Sequence, residues 1–256
     1  AYLLFNLLSS SRDNFNFIFI NTMIFNKKSV VDGLIIPVFK PLNWTSFDVV
    51  KKLRNDFKKT FKIKKIKVGH AGTLDPLATG LLLICTGKKT KIIEDLQNLE
   101  KTYLATFCFG KTTPSFDMET DFDKSFPVDH IDEDLVIKTL KAFTGKIKQR
   151  PPIYSALKFK GKRLYEIARK GEKVDIDYRK VTINEFEMLN NNFPEFDFKI
   201  KCSKGTYIRS LADDFGKKVK SGAYLKYLER YSIGKYTIQE SYTIESISKY
   251  LSSHQC

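Results

Sequence analysis

Apolar positions recur along the chain at two spacings, and each spacing predicts a different element. Val49, Val50, Leu53 and Phe57 fall on one helical face, and Thr45 or Ser46 stands where a cap is needed. Val136, Leu140 and Phe143 repeat that pattern behind Asp132, and Gly145 ends it. Ile208, Leu211, Ala212, Phe215 and Val219 form a third helical stripe. Alternation replaces this spacing over residues 101–110, where Tyr103, Ala105, Phe107 and Phe109 share one face of a strand. Phe198, Ile200 and Cys202 do the same over 195–202. Further strands are expected over 33–39, broken or at an edge because of Pro37. Others are expected over 81–85, 173–189 and 232–239, with Asn190-Asn191-Asn192 turning between the strands at 173–189 and 195–202. Short helices are expected over 90–96, 163–170 and 244–251, and a hairpin or loop over 111–126. Leu225, Leu228 and Tyr231 extend the core.

One stretch obeys neither spacing. Gly69-His70-Ala71-Gly72-Thr73-Leu74-Asp75-Pro76-Leu77-Ala78-Thr79-Gly80 holds three glycines and a proline, which deny it regular structure over most of its length. It carries one carboxylate, Asp75, and one imidazole, His70. Pro76 biases Asp75 away from the helical region. Asp75 is either a turn former or a carboxylate presented by a loop that lets backbone approach a ligand.

Charge alters the setting of that loop. The 256 residues hold 44 Lys and Arg against 29 Asp and Glu, a net charge of +15. Such an excess points to a polyanionic partner, nucleic acid first and an anionic membrane surface second. No apolar run reaches eighteen residues, and no sustained amphipathic helix favours a membrane surface. Between Lys51 and Lys67 the only acid is Asp56. That segment is either a solvated face or a phosphate-contacting rim leading into the Asp75 loop. A second basic segment, 146–162, interleaves Tyr154 with Lys158, Lys160 and Lys162, as an ordinary loop or a groove that tracks a nucleic-acid backbone.

Metal and disulfide chemistry find little support. Cys85, Cys108, Cys202 and Cys256 form no C-x-x-C pair, and the histidines are only His70, His130 and His254. Buried free thiols in a reducing, cytoplasmic setting are expected. Asp117, Glu119, Asp121 and Asp123 alternate without calcium-loop spacing. Arg209 enters the helix over 208–219 at the flank of its apolar stripe, where a cation opposes the macrodipole. It is either solvated or reaches a buried carboxylate. Tyr103 is either a core tyrosine or, at the open end of its strand, an aromatic surface for a base.

The stretch 69–80 resembles the catalytic motif of TruB-type tRNA pseudouridine synthases, G-H-x-G-x-L-D-P-x-A-x-G. Four further segments follow in that family's order: Lys101-Thr102-Tyr103, Tyr154-Ser155-Ala156-Leu157-Lys158, Lys204-Gly205-Thr206-Tyr207-Ile208-Arg209 and Tyr227-Leu228-Glu229-Arg230. The resemblance runs from about Asp32 to Leu251. It implies an α+β fold, a mixed and largely antiparallel central sheet with flanking helices and an RNA-binding cleft. It implies isomerisation of the tRNA T-loop uridine, position 55, to pseudouridine, by a monomer with no protein partner. By this likeness Asp75 is the catalytic carboxylate, Arg209 its partner and Tyr103 the stack for the flipped base. His70 helps to hold the displaced T-loop, and Tyr207 and Leu228 line the uridine pocket. No metal or organic cofactor is required. The carboxylate can act at C1′ or C6 as a nucleophile, or at C2′ as a base.

Two departures accompany the likeness. The family's Asp-Lys-Pro near the start is here Phe39-Lys40-Pro41, which is expected to keep the strand and lose a polar contact. Little room follows Leu251 for the PUA-type module that many relatives carry, so weaker or less selective tRNA binding is expected, partly offset by the high basic charge. Residues 1–28 read as a poorly ordered extension, with the functional protein starting near Met23. Residues 29–256 read as one catalytic domain without a complete PUA domain. The rival expectation is a non-catalytic RNA-binding or tRNA-folding protein.

Overall fold

A computed structural model describes residues 25–172 and 174–254. Of the extension expected over residues 1–28, residues 1–24 lie outside the described residues, as does the thiol of Cys256; residues 25–28 are instead ordered, with Phe25 buried, Asn26 capping a helix and Lys27 and Lys28 opening it. In chain order the helices are α1 (Lys27–Asp32), α2 (Ser46–Thr60), α3 (Ile93–Asn98), α4 (Glu133–Phe143), α5 (Leu164–Ala168), α6 (Ile208–Lys218) and α7 (Ile244–Ser253). The strands are β1 (Ile35–Lys40), β2 (Val68–His70), β3 (Thr79–Thr86), β4 (Lys101–Phe109), β5 (Lys111–Thr112), β6 (Lys124–Ser125) and β7 (Gly145–Gln149). They continue with β8 (Lys158–Phe159), β9 (Lys162–Arg163), β10 (Arg179–Asn192), β11 (Glu195–Cys202), β12 (Ala223–Ile233) and β13 (Tyr236–Thr237). The arrangement is α+β, and the strand pairs are mostly antiparallel with one parallel pair, β3 with β12.

The chain divides into two compact units: residues up to Tyr103 with those from Glu229 on, and Leu104–Leu228. In the first unit β3 is buried along its whole length. It pairs antiparallel with β1 and β2 and parallel with β12. β1 is an edge strand, which accommodates Pro37 opposite Leu83. Its register continues through Lys40, opposite Gly80, so Phe39 in place of the usual aspartate leaves strand geometry intact. Helix α2 closes one side of this sheet. Thr45 Oγ1 accepts from Asp48 N at 3.1 Å, and Asp48 accepts back from Thr45 N at 2.9 Å, a reciprocal cap. The helix buries Val49, Val50, Leu53 and Phe57, the stripe expected from spacing, against Val38, Leu82, Ile84, Ile247 and Leu251. Phe25 joins the same core, 5.7 Å from the Phe57 ring.

The second unit is organised around phenylalanine. β4, β11, β10 and β7 lie side by side. The alternation on β4 and β11 turns Phe107, Phe109, Phe196 and Phe198 into the core. Phe215 of α6 lies 5.8 Å from Phe198 and 6.1 Å from Phe107. The first pair is tilted and the second edge-to-face, and aromatic contacts of this kind add to simple area burial.

Several element boundaries differ from the spacing-based reading. β10 starts at Arg179 and runs through all three asparagines, so the turn falls at Phe193 and Pro194. Gly87–Ile92 is a 3-10 turn ahead of α3. Residues 223–233 form the long strand β12, whose burial interrupts alternation at both ends. A strand buried on both faces has no period-two signature, which is why spacing alone left it as unspecified core. The expected strand over 232–239 is only the end of β12 and the short β13, followed by a 3-10 turn.

Candidate active site

The Asp75 loop joins β2 to β3 and has no regular structure, yet five consecutive backbone carbonyls in it are held. Arg230 NH2 donates to Gly72 O at 3.0 Å, and Arg230 NH1 lies 3.5 Å from Thr73 O. Ser46 Oγ donates to Leu74 O at 3.2 Å while accepting from Leu74 N at 2.8 Å. Ala78 N donates to Asp75 O at 3.0 Å. Pro76 O accepts from Asn43 N at 2.9 Å and lies 3.4 Å from Lys40 Nζ. Backbone groups turned away from water need such partners, and here they come from β12, β1, the turn between β1 and α2, the start of α2 and the loop itself. The result is a loop without regular structure but with a determined path.

Two of the glycines do specific work in that path. Gly72 and Gly80 have φ of +93° and +104°. A Cβ on Gly80 would lie 2.5 Å from Arg230 O, so the close backbone approach foreseen for this stretch is made by a neighbouring strand.

Asp75 is half-buried, and two deeply buried cations act on it electrostatically, Lys40 and Arg230. Lys40 is fully buried, and its ammonium donates to Pro41 O at 2.8 Å and Trp44 O at 2.6 Å. Burial, reinforced by the charge of Arg230 and opposed by that of Asp75, lowers its pKa to about 8. Arg230 is 1% exposed and also donates Nε to Leu81 O at 2.8 Å. Burial lowers its pKa, while Tyr103, which takes a hydrogen bond from it, and Asp75 oppose that shift.

His70 ends β2. Burial, then the charge of Arg230, depresses its pKa, so the ring is neutral at neutral pH. Tyr103 is 9% exposed, the core position its alternation foresees, with its hydroxyl at Arg230. The first unit therefore brings Asp75, His70 and Tyr103 around one guanidinium.

Tyr207, Leu228 and Arg209 belong to the second unit. Gln149, itself 1% exposed, clamps the Tyr207 backbone, accepting from its N at 2.8 Å and donating to its O at 3.0 Å. Leu228 lies in β12 and is 9% exposed. Arg209 begins α6 and is buried, with Nε 3.5 Å from Asp117 Oδ2. Its NH2 donates to Tyr154 O at 2.8 Å and its NH1 to Ser115 O at 3.2 Å. Of the two readings left open for Arg209, the structure selects the buried one, with a carboxylate within its own unit. Asp117 thus has a definite role, and its alternating neighbours also serve in turns and ion pairs: Asp123 accepts from Thr112 Oγ1, and Glu119 pairs with Arg169 at 3.1 Å.

Sequence reasoning assigned no role in the site to Arg230, Lys40, Asp117 or Gln149, and it read Ser46 only as a possible helix cap. Lys40 and Arg230 stand within quoted motif matches, but nothing in periodicity marks a charged side chain as buried. Lys64, Lys65 and Lys67, just before β2, are exposed, as are Lys158, Lys160 and Lys162 on and between β8 and β9. No helix among the described residues is long and apolar enough to cross a membrane.

Comparison with known proteins follows the same lines. A family model described as TruB family pseudouridylate synthase (N terminal domain) matches residues 58–208. The tRNA pseudouridine synthase B of Flavobacterium johnsoniae is 54% identical over 215 residues, covering 84% of this chain and 94% of that protein. That of Parabacteroides distasonis is 49% identical over 221 residues, covering 86% and 94%. Among solved structures, a chain of a Cbf5-Nop10-Gar1 complex is 27% identical with a TM-score of 0.65. The match covers 88% of this chain and 56% of that one, so the present chain spans little more than half of that protein's length.

Proposed function

We propose, for a chain that belongs to the TruB family of pseudouridylate synthases, that it isomerises uridine to pseudouridine in tRNA, at the T-loop uridine, with Asp75 as the catalytic carboxylate. The observation that carries this reading is the Asp75 loop. Five successive carbonyls are held while the Asp75 side chain stays half-exposed beside two buried cations. A turn former needs no such support. A carboxylate that must meet one atom of a substrate does.

The reaction breaks the C1′–N1 bond and forms C1′–C5 on the same base. The C5 proton leaves, N1 gains one, and no oxidant or external group enters. A uridine inside a folded loop is out of reach, so it is extruded and its stack replaced by protein groups. Tyr103 supplies the aromatic partner, and Tyr207 and Leu228 line the pocket. Arg209, which meets Asp117 within its own unit, is the cation that the family likeness assigns to Asp75, and His70 helps to hold the displaced loop. Attack by Asp75 at C1′ or C6, or proton removal at C2′, requires the same fixed placement. The exposed lysines at 64, 65 and 67 contact phosphates of the T-stem. Exposed Leu42 and Phe47 flank the residues that hold the Asp75 loop and offer apolar surface to an unstacked base. The enzyme acts as a monomer on tRNA.

The test is a single-turnover assay on an unmodified tRNA transcript, with pseudouridine mapped by position, for wild type beside Asp75→Asn. Product at the T-loop uridine from wild type alone is expected, with tRNA binding equal in the two proteins. RNA remodelling that is insensitive to Asp75→Asn, with no product from wild type, would instead identify a non-catalytic RNA-binding or tRNA-folding protein.

A further inference from the structure

Arg230 is nearly sealed from solvent, yet its guanidinium spends its donors on the parts of the first unit that the reaction uses. Nε reaches Leu81 O, NH2 reaches Gly72 O, and NH1 points at Thr73 O. Those carbonyls lie on both sides of Asp75 in sequence. The same group hydrogen-bonds the Tyr103 hydroxyl and acts electrostatically on Asp75. Its own backbone is fixed too. Arg230 pairs with Gly80 in the parallel register of β12 and β3, and the contact is too close to admit a Cβ at Gly80. A planar fork anchored at its base and occupied along its edge has little freedom to turn.

We infer that Arg230 is a positioning residue of the reaction, holding the Asp75 loop and the Tyr103 hydroxyl in one register through a single guanidinium. This rests on the roles proposed above for Asp75 and Tyr103. Arg230 does not touch substrate, because it is 1% exposed. It sets the separation between the carboxylate and the ring that receives the base. Charge alone does not accomplish this. A lysine at 230 keeps the positive charge near Asp75 but offers no rigid fork to Gly72, Thr73 and Leu81.

The test uses the full chain and unmodified tRNA, with single-turnover rate, tRNA dissociation constant and thermal unfolding measured for each protein. Arg230→Gln is expected to slow turnover by about 10²-fold, the scale of a small misplacement of reacting groups. Arg230→Lys is expected to recover part of that loss. Neither is expected to change the tRNA dissociation constant, which a general loss of structure would raise. Tyr103→Phe keeps the ring and removes the hydroxyl, and its effect is expected to be non-additive with Arg230→Lys. Wild-type rates in folded Arg230→Gln overturn the inference. So does a rate loss matched by a loss of tRNA affinity, or strict additivity with Tyr103→Phe. Should both Arg230 variants unfold, Tyr103→Phe decides alone: slowed turnover with unchanged affinity supports the inference, and a wild-type rate overturns it. Wild type that makes no pseudouridine defeats the proposed function and this inference together, whereas the other failures leave the proposed function standing.

Discussion

Each unit buries charge, and the two do it differently. In the second unit both members of a pair are enclosed: the Arg209 and Asp117 side chains are 4% and 7% exposed. The carboxylate serves the arginine and is closed to anything larger. In the first unit the cations beside the Asp75 loop, Lys40 and Arg230, are enclosed, and most of their hydrogen bonds go to backbone carbonyls. Their carboxylate neighbour, Asp75, is left half-exposed. The comparison separates an enclosed acid from a partly exposed one. Carbonyl dipoles satisfy donors of Lys40 and Arg230, so these buried cations do not depend on a carboxylate alone.

The largest expected effect tests that division directly. Asp75→Asn is expected to lower the single-turnover rate by at least about 10⁴-fold, as for loss of a principal catalytic group, with an unchanged unfolding midpoint. Asp117→Ala should behave in the opposite sense, costing about 3 kcal/mol of stability in denaturant titration, because it strips a buried arginine of its enclosed carboxylate. If Asp117→Ala left stability untouched, the second unit would not depend on its pair.

A pH titration of stability sharpens the first unit's side of the contrast. The Lys40 pKa is lowered from 10.5 to about 8. Below about 8 the folded protein bears the cost of a buried ammonium, and above 10.5 the lysine is neutral both folded and unfolded. Between these limits the unfolded chain binds the proton and the folded protein does not. Wild type should therefore gain stability relative to Lys40→Met as pH rises from about 8 to 10.5, by at most about 3 kcal/mol. A difference that stays flat through this window would mean that the carbonyl cage fully compensates the charge. The smallest expected effect is at the cap beside the loop: Thr45→Ala should cost about 1 kcal/mol and lower the melting temperature while leaving turnover intact.

Much of the architecture was legible in spacing. The α2 stripe, the alternation of β4 and β11 and the apolar α6 face depend on local periodicity, and each packs as its pattern foresees. Spacing was silent about β12, whose buried run shows no alternation. It also misplaced the turn after β10, because asparagines fit an extended strand as well as a bend when neighbouring strands supply the ladder.

The order of residues by itself determined that 69–80 would be an irregular loop carrying one acid, that its surroundings would be basic, and which family the chain resembles. These follow from residue type and short-range spacing. Tertiary structure alone decided that Lys40 and Arg230, two ordinary surface residues by composition, are buried around that loop. It also decided that Arg209 meets Asp117, 92 positions away in sequence. Burial of a charge depends on which carbonyls and counter-charges distant strands deliver to it, and no local pattern encodes that delivery.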